Sequence, residues 1–209
     1  MGPVSLDAGD TGPRERWNRR WSERAAGAGA GPAAAGPAAW LAENAALLSA
    51  MAGERALDVA CGDGRNAVYL ARLGLAVDAV DISDVAIAAV RANAAAHRLP
   101  ITARRMDLER DGLPADGYGV IVQIRYLQRS LFPALEAALT HGGIFVAETF
   151  VRSPEPEPGS AMAGRRFALS PGELRGAFPS LEIVRYQERT MEHRGVARTV
   201  AELAARRPL

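Results

Sequence analysis

One stretch constrains this chain more than any other: Arg55 to Ser83, RALDVACGDGRNAVYLARLGLAVDAVDIS. It opens on a short apolar run, Ala56 to Ala60, carrying one acid at Asp58. A glycine turn follows, Gly62-Asp63-Gly64. Ala67, Leu70, Ala71 and Leu73 then recur at helical spacing, and Gly74 stands where a helix-ending glycine belongs. A second apolar run, Leu75 to Val80, ends on Asp81. Strand, glycine loop, helix, strand and acid together make one βαβ unit of about 30 residues, the kind that binds nucleoside ligands.

Gly62-Asp63-Gly64-Arg65-Asn66-Ala67 fits the G-x-G-x-x-G/A pattern of dinucleotide binders, with Asp81 about 20 residues on to hold ribose hydroxyls. Charge decides between ligands. A pyrophosphate on a helix N-terminus wants backbone donors and no nearby anions. Here Asp63 lies inside the loop and Asp58 just before it. Two carboxylates disfavour a dianionic guest and suit one with an ammonium group and a sulfonium centre, S-adenosylmethionine (SAM).

Asp58-x-x-Cys61-Gly62-x-Gly64 followed by Arg65-Asn66-Ala67 resembles motif I of class I SAM-dependent methyltransferases. The Cys-Gly-x-Gly-Arg-Asn form is similar to the subgroup containing the tellurite-resistance methyltransferases. The resemblance implies a Rossmann-like, doubly wound α/β fold: a mostly parallel seven-stranded sheet with an antiparallel C-terminal hairpin and an N-terminal helical cap. It also implies a cofactor site built from Asp58, Cys61, Gly62, Gly64, Asn66, Asp81, Ile82, Asp107, Leu108 and Gln123. Asp58 would attract the methionine ammonium, Asp81 hold the ribose and Asp107 the adenine amine, with Ile82 and Leu108 sandwiching the ring.

Length and composition set the class. A chain of 209 residues suits one domain with a small appendage. Near-neutral charge (+1) and 48% apolar residues indicate a soluble globular protein. Every basic residue is Arg, which reads as compositional bias, and no basic stripe with interleaved aromatics points to nucleic acid. The single cysteine, Cys61, can form no internal disulfide, which fits a reducing compartment, and no Cys or His cluster suggests a metal. With no signal peptide and no membrane-length apolar run, the expected setting is cytoplasmic, without a membrane partner. The sequence does not speak to oligomeric state.

Along the chain, residues 1–13 read as a disordered tail and 14–37 as a charged helix plus a Gly/Ala/Pro linker. That helix carries Trp17 and Trp21 on one face. Two roles suit it: docking both indoles on the core, or covering the cofactor. Residues 38–209 form the main domain. Ala38–Met51 reads as one helix, Ser83 as the N-cap of a helix running to about His97, and Ile101–Arg105 as a third strand. Asp107, after that strand, is either the adenine acceptor, a role for which Asp111 in the next turn competes, or a simple N-cap or turn Asp. Tyr118–Ile124 is a buried strand, Ser130–Leu139 a helix and Ile144–Thr149 a fifth strand. Pro- and Glu-rich residues 151–167 would form a loop over the crevice, with Arg165 and Arg166 either on an acidic acceptor or solvated. Ser170-Pro171-Gly172-Glu173 is a helix start, with Ser at the N-cap. Leu181–Arg189 and Val196–Ala205 pair as a final hairpin.

The acceptor side is less defined. Gln123-Ile124-Arg125-Tyr126-Leu127 occupies the place of family motif IV without Asn-Pro-Pro-Tyr or Asp-Pro-Pro-Tyr. Arg125 and Tyr126 are the candidate acceptor contacts. Arg125 either grips an anion bidentately or pairs with a carboxylate. His97, His141 and His193 read as surface or turn residues, so no general base stands out. The expected reaction is in-line methyl transfer to a small molecule, releasing S-adenosylhomocysteine (SAH). RNA or protein acceptors, a non-catalytic SAM-binding module and an NAD-type oxidoreductase are the alternatives.

Overall fold

The apolar runs assemble into a single seven-stranded sheet in the computed structural model, which describes residues 12–27, 36–152, 167–193 and 196–209. The expected tail before residue 12, most of the linker, nearly all of the 151–167 loop with Arg165 and Arg166, and the hairpin turn at 194–195 lie outside the described residues.

In chain order the strands are β1 (Arg55–Val59), β2 (Ala76–Asp81), β3 (Ile101–Arg105), β4 (Tyr118–Ile124), β5 (Leu139–Phe150), β6 (Glu182–His193) and β7 (Val196–Arg206). Their order across the sheet is β3-β2-β1-β4-β5-β7-β6. The first five run parallel, and β7 is antiparallel to both β5 and β6. The runs at β1, β2 and β4 are almost wholly buried and rich in Val, Ile, Leu and Ala. Parallel strands covered on both faces require that composition.

Helices α2 (Ala39–Glu43), α3 (Ala45–Ser49), α4 (Arg65–Arg72) and α5 (Asp84–His97) lie on one face, and α1 (Pro13–Gly27) packs against α5. Its core joins Trp40, Leu41, Leu48, Leu70, Ile87 and Val90 to Ala56, Ala79, Val120 and Val122. Helices α6 (Leu108–Asp111), α7 (Phe132–Ala138) and α8 (Glu173–Gly176) lie on the other. There Leu57, Ile121 and Phe145 pack with Leu135, Leu174 and Phe178.

Several local expectations change. Ala38–Met51 is two short helices, because the buried Asn44 between them donates its side-chain amide to the Trp40 carbonyl (2.7 Å) and leaves helical geometry at φ −103°, ψ 17°. This is side-chain competition for a backbone acceptor. The helix start at 170–173 shortens to α8, with left-handed Gly172 and not Ser170 at its N-cap. His141 sits inside an extended β5 with its Nδ1 against the Pro208 carbonyl. Other expectations match: the Ser83 hydroxyl accepts from the Ala86 amide (3.2 Å) to start α5, which ends at His97.

Candidate functional site

The strand order reverses at β1, which has β2 on one side and β4 on the other. In an open α/β sheet, the crevice beyond the carboxyl ends of such strands is where ligands bind. The chain leaves β1 through Ala60 (φ +54°), turns at Gly62 (φ +56°) and enters α4 at Gly64 (φ +82°). These left-handed residues aim the backbone of the bend into that crevice.

Asp81, at the end of β2, fixes the bend. Its Oδ2 accepts from the Gly62 amide (2.9 Å) and its Oδ1 from the Ser83 amide (2.9 Å). It is 6% exposed. Burial raises its pKa, opposed by the amides of Ser83, Gly62 and Ile82. One carboxylate thus ties the loop after β1 to the loop after β2. Ile82 is half-buried beside it.

Asp58 lies beneath the bend, 1% exposed. The Ala67 amide, in the first turn of α4, hydrogen-bonds its carboxyl, while its Oδ2 is buried without a partner. Burial in the first place, with Asp81 adding to it, pushes its pKa up to about 8. Without a cationic guest it holds a proton at neutral pH. Asp63, on the bend itself, lies 3.4 Å from Arg24 of α1. Cys61 is buried and its thiol pKa is pushed up by burial, so it is packing rather than a nucleophile.

Other expected site residues do structural work. The Asn66 side-chain carbonyl accepts from the Ala38 amide (2.9 Å), holding the start of α2. Gln123 donates to the Tyr126 carbonyl (3.0 Å) and so shapes the turn after β4. Asp107 is the N-cap of α6, accepting from the Glu109 amide (3.1 Å). Leu108 is buried in the core of the second face. Tyr126 remains half-buried; its hydroxyl donates to Gln128 Oε1. Burial, then the charges of Glu109, Asp107 and Asp81, drive its pKa well above the ordinary tyrosine value, so the phenol stays neutral. Those neighbours place Tyr126 on the same side of the sheet's carboxyl edge as Asp81 and Asp107. A cavity of about 310 Å³ opens nearby, lined by Glu109, Leu127, Gln128, Arg129 and Ser130.

Arg125 takes the ion-paired form of its two expected roles. Its Nε contacts Glu148 Oε1 at 2.8 Å, and its own amide donates to the Glu148 carbonyl (2.6 Å). The Glu148 side chain is 2% exposed. Glu202, opposite it in register on β7, is fully buried and gripped by Arg189 at 2.7 and 2.8 Å. Arg65, at the start of α4, is half-buried, and desolvation lowers its pKa. Sequence reasoning had no role for the Glu148 and Glu202 pairs, although acids inside the apolar runs of β5 and β7 were a signal.

The helix before the domain joins this site. Asn18 accepts from the Ser83 hydroxyl (2.7 Å) and donates to Asp84 (3.3 Å), and Arg14 pairs with Asp84 (2.6 Å). The Trp21 ring covers Gly62: a Cβ built on that glycine would lie 2.5 Å from Trp21 Cζ2. Trp17 stays 40% exposed, so only one of the two indoles docks. The Trp17–Trp21 spacing was the sequence signal for a docking face, but not for its target.

The unpartnered Asp58 oxygen, the glycine bend and the buried Asp81 carboxylate thus stand together at the carboxyl ends of β1 and β2. Among the described residues no cluster of His, Cys, Asp and Glu would hold a metal ion, and no helix is long and apolar enough to cross a membrane. Residues 56–143 match the family described as a methyltransferase domain. A protein named hemagglutinin 1 from Eikenella corrodens is 30% identical over 140 residues, 64% of this chain and 46% of that protein. A ubiquinone biosynthesis O-methyltransferase from Nitrosococcus oceani is 30% identical over 127 residues, 58% of this chain and 53% of that protein. The chain thus spans about half the length of these curated relatives. The crystal structure of TehB from Haemophilus influenzae shares the fold at a TM-score of 0.68 and 21% identity, over 80% of this chain and 61% of that one. Over residues 56–143 the chain is thus similar to a methyltransferase domain, and its fold is that of the TehB structure.

Proposed function

We propose that this protein transfers the methyl group of SAM to a small-molecule acceptor and releases SAH. The supporting observation is the buried, unpartnered Asp58 Oδ2 at the end of the strand that leads into the glycine bend at Gly62 and Gly64. Burial keeps this carboxyl protonated at neutral pH, and a ligand ammonium against it offsets the cost of ionising it there. SAM brings a methyl group already activated on a sulfonium, so the chain's task is positioning and exclusion of water. Asp58 receives the ammonium, and Asp81 turns its remaining acceptor capacity to the ribose hydroxyls. Asp107, beyond its capping bond, takes the adenine amine between Ile82 and Leu108.

On the acceptor side, Tyr126 and the turn built by Gln123 form one wall and Arg125 the rim. With Arg125 neutralised by Glu148, its contribution is hydrogen bonding from a fixed guanidinium more than net charge. Small-molecule acceptors and a cytoplasmic setting suit the near-neutral charge of the chain. Residues 14–37 serve as a cap on the 38–209 domain in this reading.

Titration calorimetry with SAH and NADH tests the proposal. SAH binding in the micromolar range with no NADH binding is expected; the reverse would replace methyl transfer with hydride transfer. Turnover with labelled SAM across thiols, chalcogen oxyanions, phenols and amines then identifies the acceptor. SAH binding without turnover on any of them would favour a non-catalytic module.

A further inference from the structure

The carboxyl edge of the sheet carries a row of buried charge beside the glycine bend. Val59 at the end of β1 stands opposite Gln123 on β4, Ile124 opposite Glu148 on β5, and Glu148 opposite Glu202 on β7. The register thus brings the bend after β1, the turn after β4 and two buried acids to one edge. Each acid there has its own guanidinium. Glu202 takes two bonds from Arg189 and one from Gln187 at 2.7 Å. Glu148 holds Arg125 at 2.8 Å, and Asp63 on the bend has Arg24 at 3.4 Å. Glu43, 3.8 Å from Arg189, is matched by Arg185 at 3.6 Å.

Arg65 is the cation left over. It leads α4 directly after Gly64 and is half-buried. The charges acting on it are those of Asp63, Arg125, Arg24 and Glu148, so it stands between the bend and the ends of β4 and β5. Loss of solvent disfavours its charged form, and the two acids offset this only in part because both are engaged by other arginines. Among the described residues, this cluster holds one positive charge more than its acids balance. Nor can Glu148 switch partners easily. Arg125 is a non-glycine residue in the left-handed region, φ +58°, a strained conformation of the kind that collects at ligand sites. Its amide on the Glu148 carbonyl, the Phe150 ring at 5.5 Å and the Met191 sulfur at 3.7 Å fix it there.

We infer that Arg65 selects the methyl acceptor: its guanidinium receives a carboxylate carried by the acceptor, beside the fixed Arg125–Glu148 pair. This rests on the SAM-binding reading above and gives its acceptor a chemical class. A planar fork of N–H donors matches a carboxylate with two parallel hydrogen bonds. One uncompensated positive charge suits a monoanion; a phosphate dianion would bring more negative charge than the cluster can match. Arg125, already neutralised, orders the rim and leaves the anion to Arg65.

The test starts with SAH binding to the native chain by calorimetry. Acetate, benzoate and inorganic phosphate are then titrated into the SAH-saturated protein, with acetamide and benzamide as neutral counterparts. A carboxylate should bind about tenfold or more tighter than its amide and tighter than phosphate, and Arg65→Gln should remove that preference. Arg65→Lys, which keeps the charge without the fork, should retain part of it. Glu148→Gln should strengthen carboxylate binding, because it frees the charge of Arg125. SAH affinity in Arg65→Gln should stay within about threefold of the native value. No preference for carboxylate over amide, the same preference in Arg65→Gln, or tightest binding of phosphate would overturn the assignment. So would a loss of SAH affinity in Arg65→Gln that 5′-methylthioadenosine, which lacks the amino-acid group, does not share; Arg65 would then serve the cofactor. In each of these outcomes native SAH binding persists and the SAM-binding reading stands. If the native chain does not bind SAH, that reading fails first and this assignment with it.

Discussion

Proton release is the most direct consequence of the buried Asp58. In the free protein its pKa is pushed up to about 8, chiefly by burial. A ligand ammonium against Oδ2 would return it toward the ordinary carboxylate range. At pH 7 binding should therefore expel about 0.9 proton from Asp58, and lowering the pH from 7 to 6 should weaken SAH binding about ninefold, or about 1.3 kcal/mol. The sign follows from the free state: below pH 8 the carboxyl is protonated, and removing that proton opposes binding more strongly as acidity rises. The ligand's own α-amino group titrates near pH 7.7–8.0 and takes up roughly 0.1 proton at pH 7, so it partly offsets the release. Calorimetry of SAH binding in phosphate and in Tris, whose ionisation heats differ, reads the net proton count from the difference in apparent enthalpy. Asp58→Asn serves as the blank and should show only the small uptake. Equal proton counts in the native protein and the variant would refute the reasoning. In the ligand-free protein the same linkage predicts that stability from this group is fully present at low pH and falls by about 2 kcal/mol between pH 6 and pH 8. The melting temperature of Asp58→Asn should lack that fall.

Three further outcomes are expected. Asp81→Ala should weaken SAH binding by about 1–3 kcal/mol, since a charged acceptor is lost and the Gly62 and Ser83 amides lose their partner; unchanged affinity by calorimetry would remove Asp81 from the site. Gly62→Ala should lose about 1–2 kcal/mol of stability to its left-handed φ of +56° and displace Trp21, read as altered tryptophan emission together with weaker SAH binding. Arg125→Ala strands the buried Glu148 carboxylate and should cost about 3 kcal/mol in urea unfolding, whereas Arg125→Ala with Glu148→Gln should recover much of it.

The first βαβ unit was legible because every signal in it is local. Strand period, left-handed glycines, helix period and the closing acid all lie within thirty residues, and β1, α4 and β2 stand where those signals put them. The Ser83 cap and the limits of β3 and β4 were legible for the same reason. What escaped depends on partners far along the chain. Asn66 bears the motif's look of a ligand contact, but its side chain answers Ala38, 28 residues away. The Arg125 alternatives could be resolved only by the β4–β5 register, which sets Ile124 opposite Glu148. The break at Asn44 required knowing that its amide would be buried with the Trp40 carbonyl in reach. Trp17 and Trp21 have the same spacing on the same helix face, and only the seating of α1 on Ser83 and Asp84 separates a covered indole from an exposed one.

The bridge that Asp81 makes between the Gly62 and Ser83 amides has a kinetic meaning as well. In the proposed SAM site the acid already braces both loops, so little chain freedom would be left to lose on docking and the ribose would meet a preorganised receptor. Association should then be governed by how readily the tryptophan-bearing helix yields, and the residence time of the spent nucleoside by how readily it yields again.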